Sequence, residues 1–445
     1  MIKGLDEHLI KSYQINDQTT CIEKRIDAID LLTHRRLDIA AKYLYIACQQ
    51  DNVLSSIGEW VYRNHLDVLS NGNFREPGAE DKNSYEDYVN EFDQLISSIK
   101  EHGFQAEKSK IPVGKYGVAM NGAHRISCCI YFHHKIDVLY FPDFISVSYD
   151  YLFFRKRGLS QDVLDRMVLQ YAQLKKENLY ACCIWPQGTH AMPLSKIIKQ
   201  FEAYGTIVYD KKIPLTYQGL VHFMIELYGK EAWTMGYEHK YKGIHHKAMA
   251  CYKEKNPCYL LLFEKKSKEE IITIKAKIRE IMNIKKSGMH ISDDEEELMR
   301  ILHLLLHPEG TFFLNHIDFL KKDLLVQMQK EEVQHALLDP YATLAFYGHG
   351  NTIRTNTDDI EQHFDMEMDT RNFIIYMGMK FMTLSFVKKQ YPQLCKKLPS
   401  LEKKKENRYV IMFHRLYAKA DTLAYYILKA TGLHKILLYW KEHKK

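Results

Sequence analysis

No two of the nine cysteines, Cys21, Cys48, Cys128, Cys129, Cys182, Cys183, Cys251, Cys258 and Cys395, stand in C-x-x-C spacing, and nine is an odd number. Neither a disulfide framework nor a zinc ribbon is implied. The chain also lacks any run approaching about 18 uninterrupted apolar residues, the length of a helical bilayer span, so no membrane insertion is expected. Its start, MIKGLDEHLIKSYQ, carries acidic residues and no long apolar run. It lacks the features of a secretory signal peptide, and a cytoplasmic protein is expected. Internal repeats and low-complexity segments are missing as well. An excess of one charge sign is nearly absent: 62 basic against 56 acidic residues leave a formal +6. That is too little to mark a dedicated nucleic-acid binder, and it suits small anionic substrates.

What is present is enough apolar material for several cores, with 46% hydrophobic and 27% charged residues over 445 positions. Domains usually run about 100 to 200 residues, so three are expected. Apolar positions at helical spacing, Ile26, Ile29, Leu32 and then Ala40, Leu44, Ala47, predict a helical lead-in over 1–60. A turn-rich stretch follows, then an amphipathic helix near Ser84–Glu101 with Asn83 or Ser84 as cap and Gly103 as its end. Next come a short strand at Ile111-Pro112-Val113, a turn, a second strand at Val118-Ala119-Met120, a bend at Asn121-Gly122 and a helix from about Arg125 to Phe132.

From Tyr180 the pattern reads strand, helix, strand, helix, with Lys247–Tyr252 and Cys258–Phe263 pairing across Asn256-Pro257, and further helices through Glu269–Met282 and Glu295–Leu306. The order looks like βαββαβ. Residues 317–445 read as a third unit with more helix than strand, interrupted by Gly348-His349-Gly350. Within it YMGMKFMTLSFVKK reads as an amphipathic helix, with Lys380 within reach of a phosphate. His245-His246 has no partner at metal-ligand spacing.

Glycine at 122 lets backbone amides approach a phosphate, the following helix presents its positive end, and His124 and Arg125 add donors. The plain alternative is a strand-to-helix turn that leaves Arg125 in solvent. The text IPVGKYGVAMNGAHRISCCIYF, preceded by LISSIKEHGF, resembles the ParB/sulfiredoxin superfamily, in which a strand enters a D-G-x-H-R-like turn and a helix leaves it. The resemblance implies a ParB/sulfiredoxin-like domain over 61–160 that handles a nucleotide, with Asn121, Gly122, Ala123, His124 and Arg125 holding phosphate. ATP or another nucleoside triphosphate with Mg2+ is the implied cofactor pair, and Glu76 the implied carboxylate base. Asn121 stands where family kinases carry an aspartate near the metal, and Ala123 where sulfiredoxins carry cysteine, which disfavours sulfinic-acid repair.

The text from Tyr180 to Thr216, with IREIMNIKKSGMHISDD later, resembles nucleoside diphosphate kinases and implies a ferredoxin-like domain over 175–316. His290 then matches their phospho-accepting histidine, Arg279 the phosphate-binding arginine, and Ser292 and Asp293 the residues after the histidine. Trp185 replaces the family lysine, and Ser287 the asparagine. In the unit over 317–445, Asp359-Ile360-Glu361 would put two carboxylates on one strand face, as two-metal nucleotidyltransferases require, although Ala342-Thr343 replaces their G-S turn. The whole arrangement is similar to proteins of bacterial surface-polysaccharide gene clusters.

The expectation is thus an α+β multi-domain protein: a ParB/sulfiredoxin-like unit, a ferredoxin-like unit and a mixed α/β C-terminal unit. It would be a nucleotide-dependent phosphotransferase acting on a small hydroxyl-bearing metabolite or sugar. A ParB-like switch that binds DNA or protein, a nucleotidyltransferase and a catalytically silent scaffold stay open as alternatives.

Overall fold

The computed structural model describes residues 5, 7–50, 55–75, 82–236 and 238–316, and beyond them 335–337, 345–349, 352–355, 364–365, 373–377, 379–383, 385, 389, 427 and 431. The protein is α+β. Its first part runs α1 (Glu7–Ser12), β1 (Ile22–Asp27), α2 (Leu37–Gln50), α3 (Ser55–Leu69), α4 (Tyr85–His102), β2 (Ile111–Val113), α5 (Ala123–Tyr131), β3 (Lys135–Tyr140), α6 (Tyr151–Lys156) and α7 (Gln161–Lys175). Strand β3 is central, antiparallel to β1 and parallel to β2. Helix α4 forms where the sequence places it: Ser84 accepts from the Asp87 amide, Asp87 returns the bond to Ser84, and Gly103 closes the helix at φ +69. Its buried face is Tyr88, Phe92, Ile96 and Ile99, at steps of four, four and three.

Two local expectations change here. The stretch 1–60 is not a helical lead-in, because Ile22–Asp27 is a strand in which Ile26 faces Ile136 of β3. A spacing of three residues from Ile26 to Ile29 is met equally by a strand that turns into the short 3-10 helix Ala28–Leu31. The segment is not separate either, since α2 packs against α3, α5 and α7 in one continuous core. The second strand expected at Val118–Met120 is a single bridge, Val113 to Ala119, after a 3-10 turn at Lys115–Gly117.

The second part runs β4 (Leu179–Ile184), α8 (Pro186–Ala191), α9 (Leu194–Glu202), β5 (Gly205–Ile213), α10 (Tyr217–Tyr228), α11 (Lys242–Cys251), β6 (Cys258–Lys265), α12 (Ile271–Met282), β7 (Met289–Ile291), α13 (Glu295–Leu305) and α14 (Gly310–His316). The sheet order is β5-β6-β4-β7 with every neighbouring pair antiparallel. Both faces of this sheet are covered. Ala181 and Cys183 point into the core shared with the first part, while Cys182 and Ile184 point into a second core with α9 and α12, the period of two that a strand imposes. The strand expected at Lys247–Tyr252 is instead the end of α11, and β6 pairs with β5. Ile244, Ala248 and Cys251 are the buried residues of α11, at helical steps of four and three.

Among the described residues beyond 316 the regular elements are strands: β8 (His335–Leu337), β9 (Ala345–His349), β10 (Thr352–Thr355), β11 (Phe364–Asp365), β12 (Phe373–Tyr376) and β13 (Met379–Met382). Strands β8 to β11 form one antiparallel sheet, and β12 and β13 a hairpin. Over 373–382 the expected helix gives way to the hairpin, with Lys380 opposite Ile375, while Ser385 and Lys389 are helical. Exposure of 2% at Ile374, 43% at Ile375 and 0% at Tyr376 alternates as in a strand. Among the described residues no helix is long and apolar enough to cross a membrane.

Candidate functional site

Helix α5 begins abruptly. Gly122 precedes it at φ +86, and a Cβ there would lie 2.5 Å from the Ile111 Cδ1, so the bend requires glycine. Asn121 accepts the Gly122 amide on its own Oδ1 at 2.7 Å, and no side chain caps the helix. The first amides of a helix have no acceptor within it and carry the positive end of its dipole. Asn121, Gly122, Ala123 and His124 line a cavity of about 180 Å³.

The opposite wall comes from the start of α2. Arg36, Asp38 and Lys42 line the same cavity, and all three are buried. Arg36 grips Asp38 with Nε and Nη2 at 2.8 and 2.9 Å and donates Nη1 to the Ala119 carbonyl. Lys42 donates to Asp38 at 3.4 Å and lies 3.2 Å from the His65 Nε2. His65 Nδ1 is 2.6 Å from the Tyr62 carbonyl, which can only accept; Nδ1 therefore carries the ring proton and Nε2 receives the lysine. Burial by itself would raise the Asp38 pKa, but the Arg36 and Lys42 charges overcome it and hold the carboxylate well below its usual range. Burial and then the Lys42 charge push both His65 and His124 well below the usual imidazole pKa. Both rings are neutral near pH 7. The cavity wall thus holds two buried cations, one buried carboxylate and one uncharged imidazole, His124, with His65 behind Lys42 and Arg75 at an exposed edge.

His124 sits edge-on to Phe92 at 4.5 Å between ring centroids, with Nε2 2.9 Å from the Tyr62 hydroxyl. It lines the cavity as expected, but as a neutral ring and not as the charged donor the motif suggested. Arg125 departs further from expectation. Its guanidinium donates to the Ser109 Oγ at 2.5 Å and lies against Gly122, away from the cavity-lining set. Arg36 and Lys42 supply the charge that was assigned to it.

No family model, curated protein or solved structure matches the chain. What the cavity can do follows from its own side chains. They do not suit a divalent cation: both Asp38 oxygens are held by Arg36 and Lys42, and the Asn121 oxygen accepts its own chain's amide. Among the described residues no group of three or more His, Cys, Asp or Glu side chains is placed to hold a metal. The expected base Glu76 and the expected metal ligands Asp359 and Glu361 lie outside the described residues.

The second expected constellation does come together, but it closes on itself. His290 in β7 is 4% exposed; Nδ1 lies 2.9 Å from the Tyr228 hydroxyl and Nε2 3.0 Å from the Glu297 Oε1. Glu297 accepts the Asp293 amide on its other oxygen at 2.7 Å. Burial alone would raise the Glu297 pKa, yet the hydrogen bonds from His290 and the Asp293 amide hold it lower. Ser292 extends the sheet ladder, its Oγ accepting from the Ala181 amide at 3.0 Å. Asp293 pairs with Lys275, and Arg279 donates to the Met289 carbonyl at 3.2 Å. Trp185 covers the ring at 6.4 Å and 26°. A phospho-accepting histidine needs a nitrogen facing the nucleotide. Here both nitrogens are engaged, one by the Tyr228 hydroxyl and one by Glu297, beneath Trp185.

Arg36, Asp38 and Lys42 were missed in the sequence. Asp38 and Lys42 at i and i+4 read as an ordinary exposed helix pair. Only their burial makes them a site.

Proposed function

We propose that this chain is a nucleotide-dependent phosphotransferase whose α5 cavity holds the terminal phosphate of the nucleotide, with a small hydroxyl-bearing metabolite, such as a sugar, as acceptor. One observation carries the reading: an uncapped helix start opens on a cavity whose facing wall holds the buried cations Arg36 and Lys42. Such a pair of walls suits an anion with several acceptor oxygens. In transfer, the acceptor oxygen bonds to phosphorus as the bond to the leaving phosphate breaks, and Arg36, Lys42 and the α5 amides stabilise the oxygens that gather charge. The hydroxyl proton passes to His124, the neutral ring on the cavity wall whose Nε2 meets the Tyr62 hydroxyl. The β5-β6-β4-β7 antiparallel order supports a ferredoxin-like reading of the second part, which then acts as the platform on which α2 and α7 are mounted.

Titration of ATP against the wild type, Lys42→Met and Arg125→Ala tests this. Loss of a charged donor weakens binding by about tenfold to a hundredfold in Lys42→Met, while Arg125→Ala stays close to wild type. A screen of hydroxyl metabolites for ATP consumption then identifies the acceptor. A wild-type chain that does not bind ATP ends the reading, and equal losses in both variants would return the phosphate to Arg125.

A further inference from the structure

We propose that Lys247 is a nucleophilic amine that forms an imine with a small aldehyde or ketone bearing an anionic group, the anion being held by Arg279 and Lys286. The site lies in the second part of the chain, on residues that the α5 cavity does not share, and stands whether or not that cavity holds phosphate.

Lys247, half-buried on α11, has rings for neighbours where a lysine ordinarily has water or a carboxylate. Its Nζ lies 4.9 Å from the ring centroid of Tyr228 and 5.8 Å from that of Trp233. Among the described residues no carboxylate comes within ion-pair distance of it. Glu231, whose charge reaches it, is taken up by the Trp233 Nε1, and the Tyr228 hydroxyl is committed to His290. The 3-10 turn Lys285–Ser287 packs against both α11 and α12, which brings Arg279 and Lys286 near enough for both charges to act on the amine. Neither of these cations has a carboxylate within ion-pair distance among the described residues. Arg279 donates to the Met289 carbonyl while its Nε meets no acceptor, and Lys286 is exposed.

These surroundings favour the free amine. Burial strips the ammonium of water, and the Arg279 and Lys286 charges repel it, so the Lys247 pKa falls below the ordinary lysine value. Cys251, one helical turn along, opposes this only as a thiolate; burial raises its pKa to about 12, so near neutral pH it is an uncharged thiol and no rival nucleophile. The ring faces favour the ammonium by about 0.5 to 1 kcal/mol for a contact that solvent reaches, which two neighbouring cations and the lost hydration outweigh. A neutral lysine beside other cations is the form that attacks carbonyls. Its nitrogen lone pair bonds to the carbonyl carbon while the C=O π pair moves to oxygen, which takes up a proton from the nitrogen. The carbinolamine then expels water as the C=N bond forms. Amine and carbonyl give imine and water, with nothing oxidised or reduced. The two cations that keep the amine free also attract an anionic carbonyl compound, and Trp233, 42% exposed, with Lys286 marks the side from which it enters.

Trapping the imine with cyanoborohydride tests this. The full chain is incubated near pH 7 with glyoxylate, or with acetaldehyde as an uncharged carbonyl probe, and the reduced adducts are located and quantified by peptide mass mapping. The exposed Lys268 serves as internal reference for both probes. Glyoxylate is expected to modify Lys247 at least about tenfold faster than Lys268, with a smaller lead for acetaldehyde. Lys286→Ala, at an exposed position, lowers the glyoxylate lead a few-fold and the acetaldehyde lead less. Arg279→Met, checked for folding by circular dichroism, lowers the glyoxylate lead by about tenfold. Should that variant not fold, Lys286→Ala and the comparison of the two probes carry the test. Equal rates at Lys247 and Lys268 overturn the proposal. A lead of the same size for both probes, unmoved by Lys286→Ala, also overturns it, since the amine would then be reactive with no anion held beside it.

Discussion

Around the start of α5 the buried polar groups lead outward: Asp38 joins Arg36 and Lys42, and these line a cavity with the open helix end opposite. Around His290 they lead inward: Tyr228, His290, Glu297 and the Asp293 amide form a chain in which each group is taken up by the next. The two clusters are similar in residue types, each with histidine, carboxylate and tyrosine, and both are largely buried. What separates them is balance. The first puts its cations on the wall of a cavity; the second is taken up internally. A buried polar cluster that opens on a cavity can meet a ligand, whereas a closed one contributes to the specificity of the fold.

The largest effect that can break this comparison is expected at Asp38. Replacing it in Asp38→Ala leaves Arg36 and Lys42 buried beside each other without their counter-charge, a loss of about 3 to 5 kcal/mol. Denaturant unfolding measures it. A loss under about 1 kcal/mol would mean that water or another group compensates these cations.

A smaller effect is expected in the second cluster. His290→Ala strands the Tyr228 hydroxyl and the Glu297 carboxylate and costs about 2 to 3 kcal/mol, with no change in phosphate binding. Incubation of the wild type with γ-labelled ATP is expected to leave no acid-labile phosphate on His290. Label there, lost in His290→Ala, would show that the cluster opens and would erase the contrast between the two regions.

The smallest effect sharpens the comparison through pH. His65 and His124 have folded pKa values far below the usual value of about 6.5, so the unfolded chain takes up their protons first. Their contribution to stability is full above about pH 6.5 and is lost as the pH falls below it, by about 1.5 kcal/mol for the pair between pH 7.5 and 6. Bound phosphate should lessen the loss by favouring the protonated rings. A stability flat across that range would show that both histidines charge in the folded state.

Some of this was legible in the sequence because it is local. Ser84, Asp87 and Gly103 mark the two ends of α4 by their own chemistry. Asn121-Gly122 marks the bend before α5, since only glycine holds that backbone without strain. The strands β4 and β6 announce themselves as short apolar runs because both their faces are buried. Segments whose pattern fits two periods were misread: Lys247–Tyr252 and 376–389 each contain apolar steps compatible with helix or strand. Long-range packing chose helix for the first and, up to Met382, a hairpin for the second.

The function-bearing choices belong to the tertiary structure alone. Arg36 meets the Ala119 carbonyl across 83 positions of chain, and Tyr228 meets His290 across 62. Arg125, beside the turn at Asn121-Gly122, donates to Ser109, whereas Arg36 and Lys42, more than eighty positions earlier, line the cavity. The sequence determined where the backbone bends and where helices start, because capping and glycine conformations depend on neighbouring residues. Which charges end up facing a cavity depends on what buries them, and burial is a property of residues distant along the chain.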